Sequence, residues 1–193
     1  MHDKYVDLCK QNMIKIGTLW IYKAPDRIIL NFPTKTDWKY PSKLAYLEAG
    51  LSKFVQTYAD KGITSIAFPM LGADKGGLSQ ELSLNTITQY LSKIPIDVEV
   101  YRYDPTALDD RYLQFKEWFE SNDPGLLTTM LNMRSDFILK VSKALSDPNI
   151  RQLNQLAKVD GIGIKTLEKI YRSVDFSGTG AVNVESRQND LFG

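Results

Sequence analysis

Apolar and polar residues alternate in blocks that divide the first hundred residues into strands and helices. Residues 14–22 and 27–32 are rich in β-branched and aromatic side chains, which favour β-strands. The Ala-Pro-Asp sequence at 24–26 between them predicts a turn. Over residues 42–60 the apolar positions recur at helical spacing, with a proline before them and a glycine after them. This stretch therefore predicts two adjacent strands followed by a helix.

The next segment repeats the strand and helix pattern around a run of glycines. Residues 63–70 form a short apolar run typical of a buried strand, and a glycine-rich turn follows. Apolar residues at helical spacing predict a helix over 79–92, and the alternating sequence at 96–103 predicts another strand. The order β-β-α-β-α-β indicates an α/β layer with helices packed on a mostly parallel or mixed sheet.

Beyond residue 104 the strand pattern stops. Residues 109–120 predict a closing helix, and the polar sequence at 121–125 is the best candidate for a linker. Only helical periods follow. The sequence thus predicts an α/β domain over 1–120, a helical module over 126–176, and a flexible tail over 177–193.

Composition narrows the chemistry that the chain can perform. The formal net charge of +1 says nothing about partners, so any binding of nucleic acid or phosphate must come from local basic residues or backbone N–H groups. A single histidine, His2, argues against histidine catalysis and the common zinc sites, and neither a metal nor a cofactor is expected. The single cysteine, Cys9, and the lack of a signal sequence or apolar span favour a cytoplasmic protein.

The glycine turn at residues 71–78 is the first candidate site. It joins a buried strand to a helix, and ligands of open α/β sheets gather at the carboxyl ends of strands. Glycines let a backbone approach phosphates closely, and a helix N-terminus presents free N–H groups. Asp74 opposes a phosphate by its charge, whereas Lys75 offsets it. A plain turn without a ligand explains the glycines equally well.

The second candidate is the polar loop at residues 31–38, which follows a strand directly. Asn31, Thr34, Lys35 and Trp38 could bind a ribose, hold a diphosphate and stack on a ring. Each also has a structural explanation: a turn cap for Asn31, a solvated lysine for Lys35 and a core aromatic for Trp38.

Taken together, the two motifs resemble a known family. NFPTKxxW at 31–38, SIAFPxLG at 65–72 and GGL at 76–78 are similar to the macrodomain of DarG antitoxins, which remove ADP-ribose from DNA bases. The resemblance implies a three-layer α/β/α fold with a mixed sheet, a toxin as partner, and Lys35 as the catalytic residue of a glycohydrolase. Such a lysine could act electrophilically near the anomeric carbon, or its amine could trap the opened sugar transiently as a Schiff base. The residues expected to bind ADP-ribose are Asn31, Thr34, Trp38, Leu71, Gly72, Ala73, Gly76, Gly77 and Leu78.

Two departures from the family pattern stand out. Asp74 occupies a position where the family has glycine or another small residue. Family members also begin with a further strand–helix unit that precedes the motifs found here. The resemblance therefore implies that this chain starts after that unit, as an incomplete macrodomain with an open sheet edge. A partner chain or the C-terminal helices could cover that edge. Three functions remain open: removal of ADP-ribose from DNA, binding of ADP-ribose without its removal, and binding of DNA or a protein partner by a chain whose degenerate macrodomain is only a scaffold.

The helical module carries a motif of its own. Residues 153–170 resemble a helix-hairpin-helix, whose glycine turn faces a DNA phosphate without reading bases. The resemblance assigns phosphate contact to Gly161, Gly163, Lys165 and Lys169, although Asp160 replaces the usual proline. Packing or partner binding is the alternative.

Overall fold

The computed structural model describes residues 1–24, 27–177 and 189–192, which form two compact units. The first unit contains residues 1–103 and the strand at 189–192, and the second begins at residue 104. Part of the expected turn at 24–26 and most of the expected tail at 177–193 lie outside the described residues. None of the helices in the described ranges is long and apolar enough to cross a membrane.

The first unit follows the predicted order of strands and helices, with a short helix added at its start. It also contains a strand at 189–192, where the sequence predicted a flexible tail, because these residues pair with β1. Its elements are α1 (His2–Lys10), β1 (Leu19–Lys23), β2 (Ile28–Asn31), α2 (Leu44–Thr57), β3 (Ser65–Pro69), α3 (Gln80–Leu91), β4 (Asp97–Tyr101) and β5 (Asn189–Phe192). Ser79 caps the N-terminus of α3, because its hydroxyl accepts a hydrogen bond from the Leu82 amide at 3.1 Å.

The strands of this unit form two separate sheets. One sheet is antiparallel with the order β2-β1-β5, and Trp20 of β1 lies opposite Asn31 of β2. The other pairs β3 with β4 in parallel, with Phe68 opposite Val100. The α/β class is therefore confirmed, and the mixed sheet expected from the sequence comes in two parts.

One hydrophobic core nevertheless joins the two sheets. Leu19 of β1 and Phe68 of β3 belong to the same buried cluster. Phe54 of α2 packs edge-to-face on Phe68, with ring centroids 5.6 Å apart. Both sheets consequently bury apolar side chains in the same core as α2.

The second unit is helical. It contains α4 (Asp110–Glu120), α5 (Pro124–Met130), α6 (Ser135–Leu145), a 3₁₀ segment (Leu153–Lys158) and α7 (Ile164–Ser177). Phe115 and Phe119 of α4 are buried in its core. The helix predicted at 109–120 thus packs with the C-terminal helices, and the boundary between the units lies at residue 104 rather than after residue 120.

Hydrogen bonds explain why the boundary lies there. The Gln152 side-chain amide donates to the carbonyls of Asp104 at 2.8 Å and Ala107 at 2.9 Å. The Gln155 amide donates to the Pro105 carbonyl at 2.7 Å. These bonds tie the loop before α4 to the 3₁₀ segment of the second unit.

Candidate functional site

The glycine turn at residues 71–78 is held tightly at both ends. Leu71 and Ala73 are buried, and the Ser83 hydroxyl donates to the Leu71 carbonyl at 2.7 Å. The Leu78 amide donates to the Gly72 carbonyl at 3.0 Å, which closes the loop. The turn is therefore a fixed part of the first unit and presents its middle residues, Asp74 and Lys75, to solvent.

Some backbone amides of the turn are bonded within the protein, and others are not. Those of Ala73, Gly76 and Gly77 donate to carbonyls of the turn and of Met70 at 2.8–3.2 Å. Within the described ranges, the amides of Asp74 and Lys75 have no hydrogen-bond partner. Because both residues are exposed, these two N–H groups are available to an anion.

Asp74 adopts an unusual backbone conformation for its residue type. Its φ is +48°, in the left-handed region that favours glycine. Aspartate tolerates this region better than most residues because its short side chain bonds locally. The backbone therefore keeps the shape that a glycine would give, while the carboxylate adds negative charge beside the two free amides.

Lys35 meets the turn across the loop at residues 31–38. Its Nζ donates to the Lys75 carbonyl at 2.5 Å, and its side chain is half-buried. The ammonium thus lies beside the backbone of Lys75, whose amide is free. The structure brings the two candidate segments together although 40 residues separate them in the sequence.

The other predicted residues of the loop differ in their surroundings. The side-chain amide of Asn31 donates to the Trp20 carbonyl at 3.3 Å. This hydrogen bond fixes the last residue of β2 against β1. Thr34 is half-buried. Trp38 is 81% exposed, and the Lys39 ammonium lies 5.7 Å from its ring centroid. Its exposure excludes the core role considered for Trp38 and leaves the ring free to stack on a ligand.

Sequence reasoning missed Ser42, which lies directly against the glycine turn. The Ser42 amide donates to the Gly76 carbonyl at 2.8 Å, and a Cβ on Gly76 would lie 2.7 Å from the Ser42 hydroxyl oxygen. That hydroxyl is buried and has no hydrogen-bond partner among the described residues. Buried hydroxyls are normally bonded, so the group is suited to a ligand or water at the turn. No signal in the sequence around Ser42 pointed to this position at the glycine turn, because Pro41 before it indicates only the start of a helix.

The glycine turn of the second unit differs from the predicted motif in its first helix. A 3₁₀ segment, Leu153–Lys158, precedes the turn where the resemblance implied an α-helix. Gly161 has φ +79°, and Gly163 has open space around it. Lys165 is exposed, whereas the Lys169 ammonium donates to the Asn132 carbonyl. Lys165 is therefore free to contact a phosphate, and Lys169 would first have to leave its carbonyl.

Comparison with known proteins places the first unit in a family. A model of the Macro domain matches residues 2–87. The solved macrodomain of Mycobacterium tuberculosis DarG is 32% identical, with a TM-score of 0.51, and the match covers 53% of this chain and 70% of that one. The chain belongs to the macrodomain family. Its glycine turn and its Lys35 loop both fall inside the matched segment.

Two relatives carry names that describe an activity. A DNA ADP-ribosyl glycohydrolase from Thermus aquaticus is 36% identical over 108 residues, which are 54% of this chain and 30% of that protein. A DNA ADP-ribosyl transferase–DNA ADP-ribosyl glycohydrolase fusion protein from Thermosipho africanus is 31% identical over 121 residues, with 51% and 31% covered. This macrodomain chain therefore spans about a third of the length of these relatives.

Proposed function

We propose that this macrodomain binds ADP-ribose at the glycine turn and removes it from DNA. The observation that carries the proposal is the Lys35 ammonium, which lies 2.5 Å from the carbonyl of Lys75 in a turn with free amides. The names of the similar proteins from Thermus aquaticus and Thermosipho africanus support the substrate. ADP-ribosylated DNA as substrate also agrees with the predicted cytoplasmic location.

The amides of Asp74 and Lys75 would donate to the diphosphate, and Lys35 would lie near the distal ribose. The predicted contacts from Asn31, Thr34 and Trp38 would then surround the sugars. In the reaction, a water oxygen forms a bond to the anomeric carbon and the glycosidic bond to the base breaks. The electron pair of the broken glycosidic bond leaves with the base, and the base takes up the proton that the water loses. An ammonium beside the anomeric centre would stabilise the departing charge.

A direct assay tests the proposal. The chain is incubated with an ADP-ribosylated oligonucleotide, and free ADP-ribose and unmodified oligonucleotide are measured by chromatography. We expect both products in equal amounts. Calorimetry with ADP-ribose separates the alternatives: binding without release would indicate a reader, and neither binding nor release would defeat the proposal.

Lysine chemistry allows two routes, and a reductant distinguishes them. If the Lys35 amine forms a Schiff base with the opened sugar, borohydride reduces the imine and leaves a covalent adduct on the protein. If Lys35 acts only by its charge, no adduct forms. Mass spectrometry of the treated protein detects the adduct, and the K35A variant treated in the same way is the negative control.

A toxin is the partner that the family resemblance implies, and the name of one relative suggests the activity of such a partner. The Thermosipho africanus protein joins a DNA ADP-ribosyl transferase to the glycohydrolase in one chain. We therefore propose that a transferase of that kind supplies the modified DNA that this chain would act on. Co-expression of such a transferase should be less toxic with this chain than with its K35A variant.

We further propose that the second unit contacts the DNA backbone through Gly161, Gly163, Lys165 and Lys169. The exposed ammonium of Lys165 beside the glycine turn supports this contact. Lys165→Glu should weaken DNA binding and reduce its salt dependence. The matched control is Lys143→Glu, an exposed lysine on α6. Equal effects of the two changes would indicate non-specific attraction only.

Replacing Asp74 with glycine should tighten ADP-ribose binding. The change removes a negative charge from the residue whose amide faces the diphosphate, and glycine accepts the φ of +48° without strain. We expect affinity to rise about fivefold, or roughly 1 kcal/mol, and less at high salt. Calorimetry at two salt concentrations measures this. Asp74→Asn is the control: if charge is the cause, both variants gain equally.

Replacing Ser42 with alanine should separate a ligand contact from a packing role. The buried hydroxyl has no partner among the described residues, so its removal should leave the stability of the free protein unchanged or higher. We expect ADP-ribose affinity to fall about fivefold, as for one lost hydrogen bond. Ser83→Ala, which deletes the bond to Leu71, should instead lower the melting temperature. An unchanged affinity in Ser42→Ala would remove Ser42 from the site.

A further inference from the structure

An exposed arch of the chain stands beside the glycine turn. We call residues 36–41 the aromatic arch, because they carry Trp38 and Tyr40, which are 81% and 63% exposed. The Tyr40 amide donates to the Asp37 carbonyl at 3.2 Å, and the Asp37 carboxylate accepts a hydrogen bond from the Lys39 amide at 2.9 Å. The aromatic arch is therefore a hydrogen-bonded turn that presents two large rings to solvent.

Both ends of the aromatic arch are fixed to the glycine turn. Before the arch, the Lys35 ammonium donates to the Lys75 carbonyl at 2.5 Å. After it, the Ser42 amide donates to the Gly76 carbonyl at 2.8 Å. Because these two carbonyls belong to neighbouring residues of the turn, the arch begins and ends at the same place. A ligand on the glycine turn would therefore lie directly beside the arch.

Tyr40 carries the ring of the arch that is free to pack on a partner. The Trp38 ring already has the Lys39 ammonium 5.7 Å from its centroid. In the part of the chain that the structure describes, no aromatic ring and no cation packs on the Tyr40 ring. Tyr40 also lies close to the glycine turn, because Pro41 follows it and a Cβ on Gly77 would lie 3.7 Å from the Pro41 Cβ. An exposed aromatic ring thus adjoins the proposed ADP-ribose site.

The start of the arch at Lys35 indicates which part of a substrate would meet Tyr40. In the proposed reaction Lys35 lies near the distal ribose, whose anomeric carbon carries the modified base. The arch follows Lys35 directly, so the DNA strand that extends from this base would pass beside the arch. Residues 35–43 contain three lysines and one aspartate, a balance of charge that attracts phosphodiesters. Exposed aromatic rings among basic residues are suited to stack on nucleic-acid bases.

We propose that Tyr40 is the stacking platform for the base next to the ADP-ribosylated one. The ring would pack on the face of that neighbouring base, so the chain would bind a modified strand more tightly than a modified nucleoside. This proposal rests on the proposed removal of ADP-ribose from DNA, and it adds a specificity residue that does not contact ADP-ribose. Every base has a face that can stack, so the identity of the neighbouring base should matter little.

A pair of oligonucleotides tests the proposal on the full chain. Both are single-stranded and carry one ADP-ribosylated base. In the second, a tetrahydrofuran spacer replaces the neighbouring base and keeps the phosphates, on the 5′ side and on the 3′ side in turn. Release of ADP-ribose is measured in single turnover against protein concentration. We expect a spacer on one side to raise the half-saturating concentration about tenfold and to leave the maximal rate within about twofold.

Variants of Tyr40 assign this effect to the ring. Tyr40→Ala should raise the half-saturating concentration about tenfold for the normal oligonucleotide, and the spacer should then add nothing further. Tyr40→Phe keeps the ring and should behave as the unsubstituted chain does. Because Tyr40 is exposed, neither change removes a core contact. Calorimetry with free ADP-ribose should give the same affinity for all three chains.

Three results would overturn the role of Tyr40. They are a spacer without effect on either side, a Tyr40→Ala chain that responds to the spacer as the unsubstituted chain does, and a loss of affinity for free ADP-ribose in Tyr40→Ala. Failure of the proposed function looks different, because the unsubstituted chain would then release no ADP-ribose from the normal oligonucleotide. In that case fluorescence anisotropy of the same oligonucleotides measures their affinities, and the same three results decide about Tyr40.

Discussion

Replacing Lys35 with alanine is expected to lower the rate of ADP-ribose release from a modified oligonucleotide by at least about a hundredfold. The Lys35 Nζ donates to the Lys75 carbonyl at 2.5 Å, which places its ammonium beside the glycine turn. Affinity for ADP-ribose should fall much less than the rate, because the free amides of the turn remain. Single-turnover release and calorimetry, on the same preparations, measure the two effects.

Two controls make this result specific. Lys39→Ala removes a neighbouring lysine, whose ammonium lies against the exposed Trp38 ring, and should leave the release rate within about twofold. Lys35→Arg keeps the charge and cannot form a Schiff base, so its activity reports which lysine route operates. An unchanged release rate in Lys35→Ala would contradict the proposed catalytic role of Lys35 and assign the hydrolysis to other groups of the chain.

Much of the first unit could be predicted because local signals mark its elements. The helix predicted at 42–60 is observed as Leu44–Thr57, between the proline and glycine that bound it. The strand predicted at 14–22 begins later, at Leu19. Its first residues form a turn, in which Gly17 has φ +81° and the Thr18 hydroxyl donates to the Lys15 carbonyl at 2.7 Å. A turn that a side-chain hydrogen bond stabilises cannot be predicted from the spacing of apolar residues.

Long-range contacts explain what the sequence did not reveal. The position of Lys35 at the glycine turn was expected from the family resemblance, since nothing local links residues 35 and 75. Ser42 could not be found, because its burial depends on the distant glycine at 76. The boundary at residue 104 depends on hydrogen bonds from Gln152 and Gln155, which lie far along the chain.

The division of the strands into two sheets is another feature that local signals do not determine. The residues of β2 and β3 favour strands locally, and each finds one partner. A cavity lies between the free edges of β2 and β3. Strand propensity alone predicts the strands and leaves their neighbours undetermined.

Replacing Gly72 with alanine should destabilise the first unit by about 2–4 kcal/mol, a large share of a typical folding free energy. Gly72 has φ +68°, a conformation that costs an L-residue about 1–2 kcal/mol. A Cβ there would also lie 2.9 Å from Leu78 Cδ1, 3.0 Å from Leu47 Cδ1 and 3.1 Å from Ser42 Cβ. Overpacking of this kind destabilises the folded state by about 1–3 kcal/mol. The alanine also reduces the entropy of the unfolded chain, which offsets less than about 1 kcal/mol of that loss.

Gly62 provides a matched control that separates backbone strain from crowding. Its φ is +67°, nearly that of Gly72, but a Cβ there would meet nothing within 4 Å. Gly62→Ala should therefore cost only the strain, about 1 kcal/mol. Native-state hydrogen exchange of α3 amides measures both variants, with α6 of the second unit as an internal reference. Equal costs at the two positions would mean that Leu47, Leu78 and Ser42 yield to the added methyl. The turn would then be looser than its contacts imply, and a fixed site for a diphosphate would lose its structural basis.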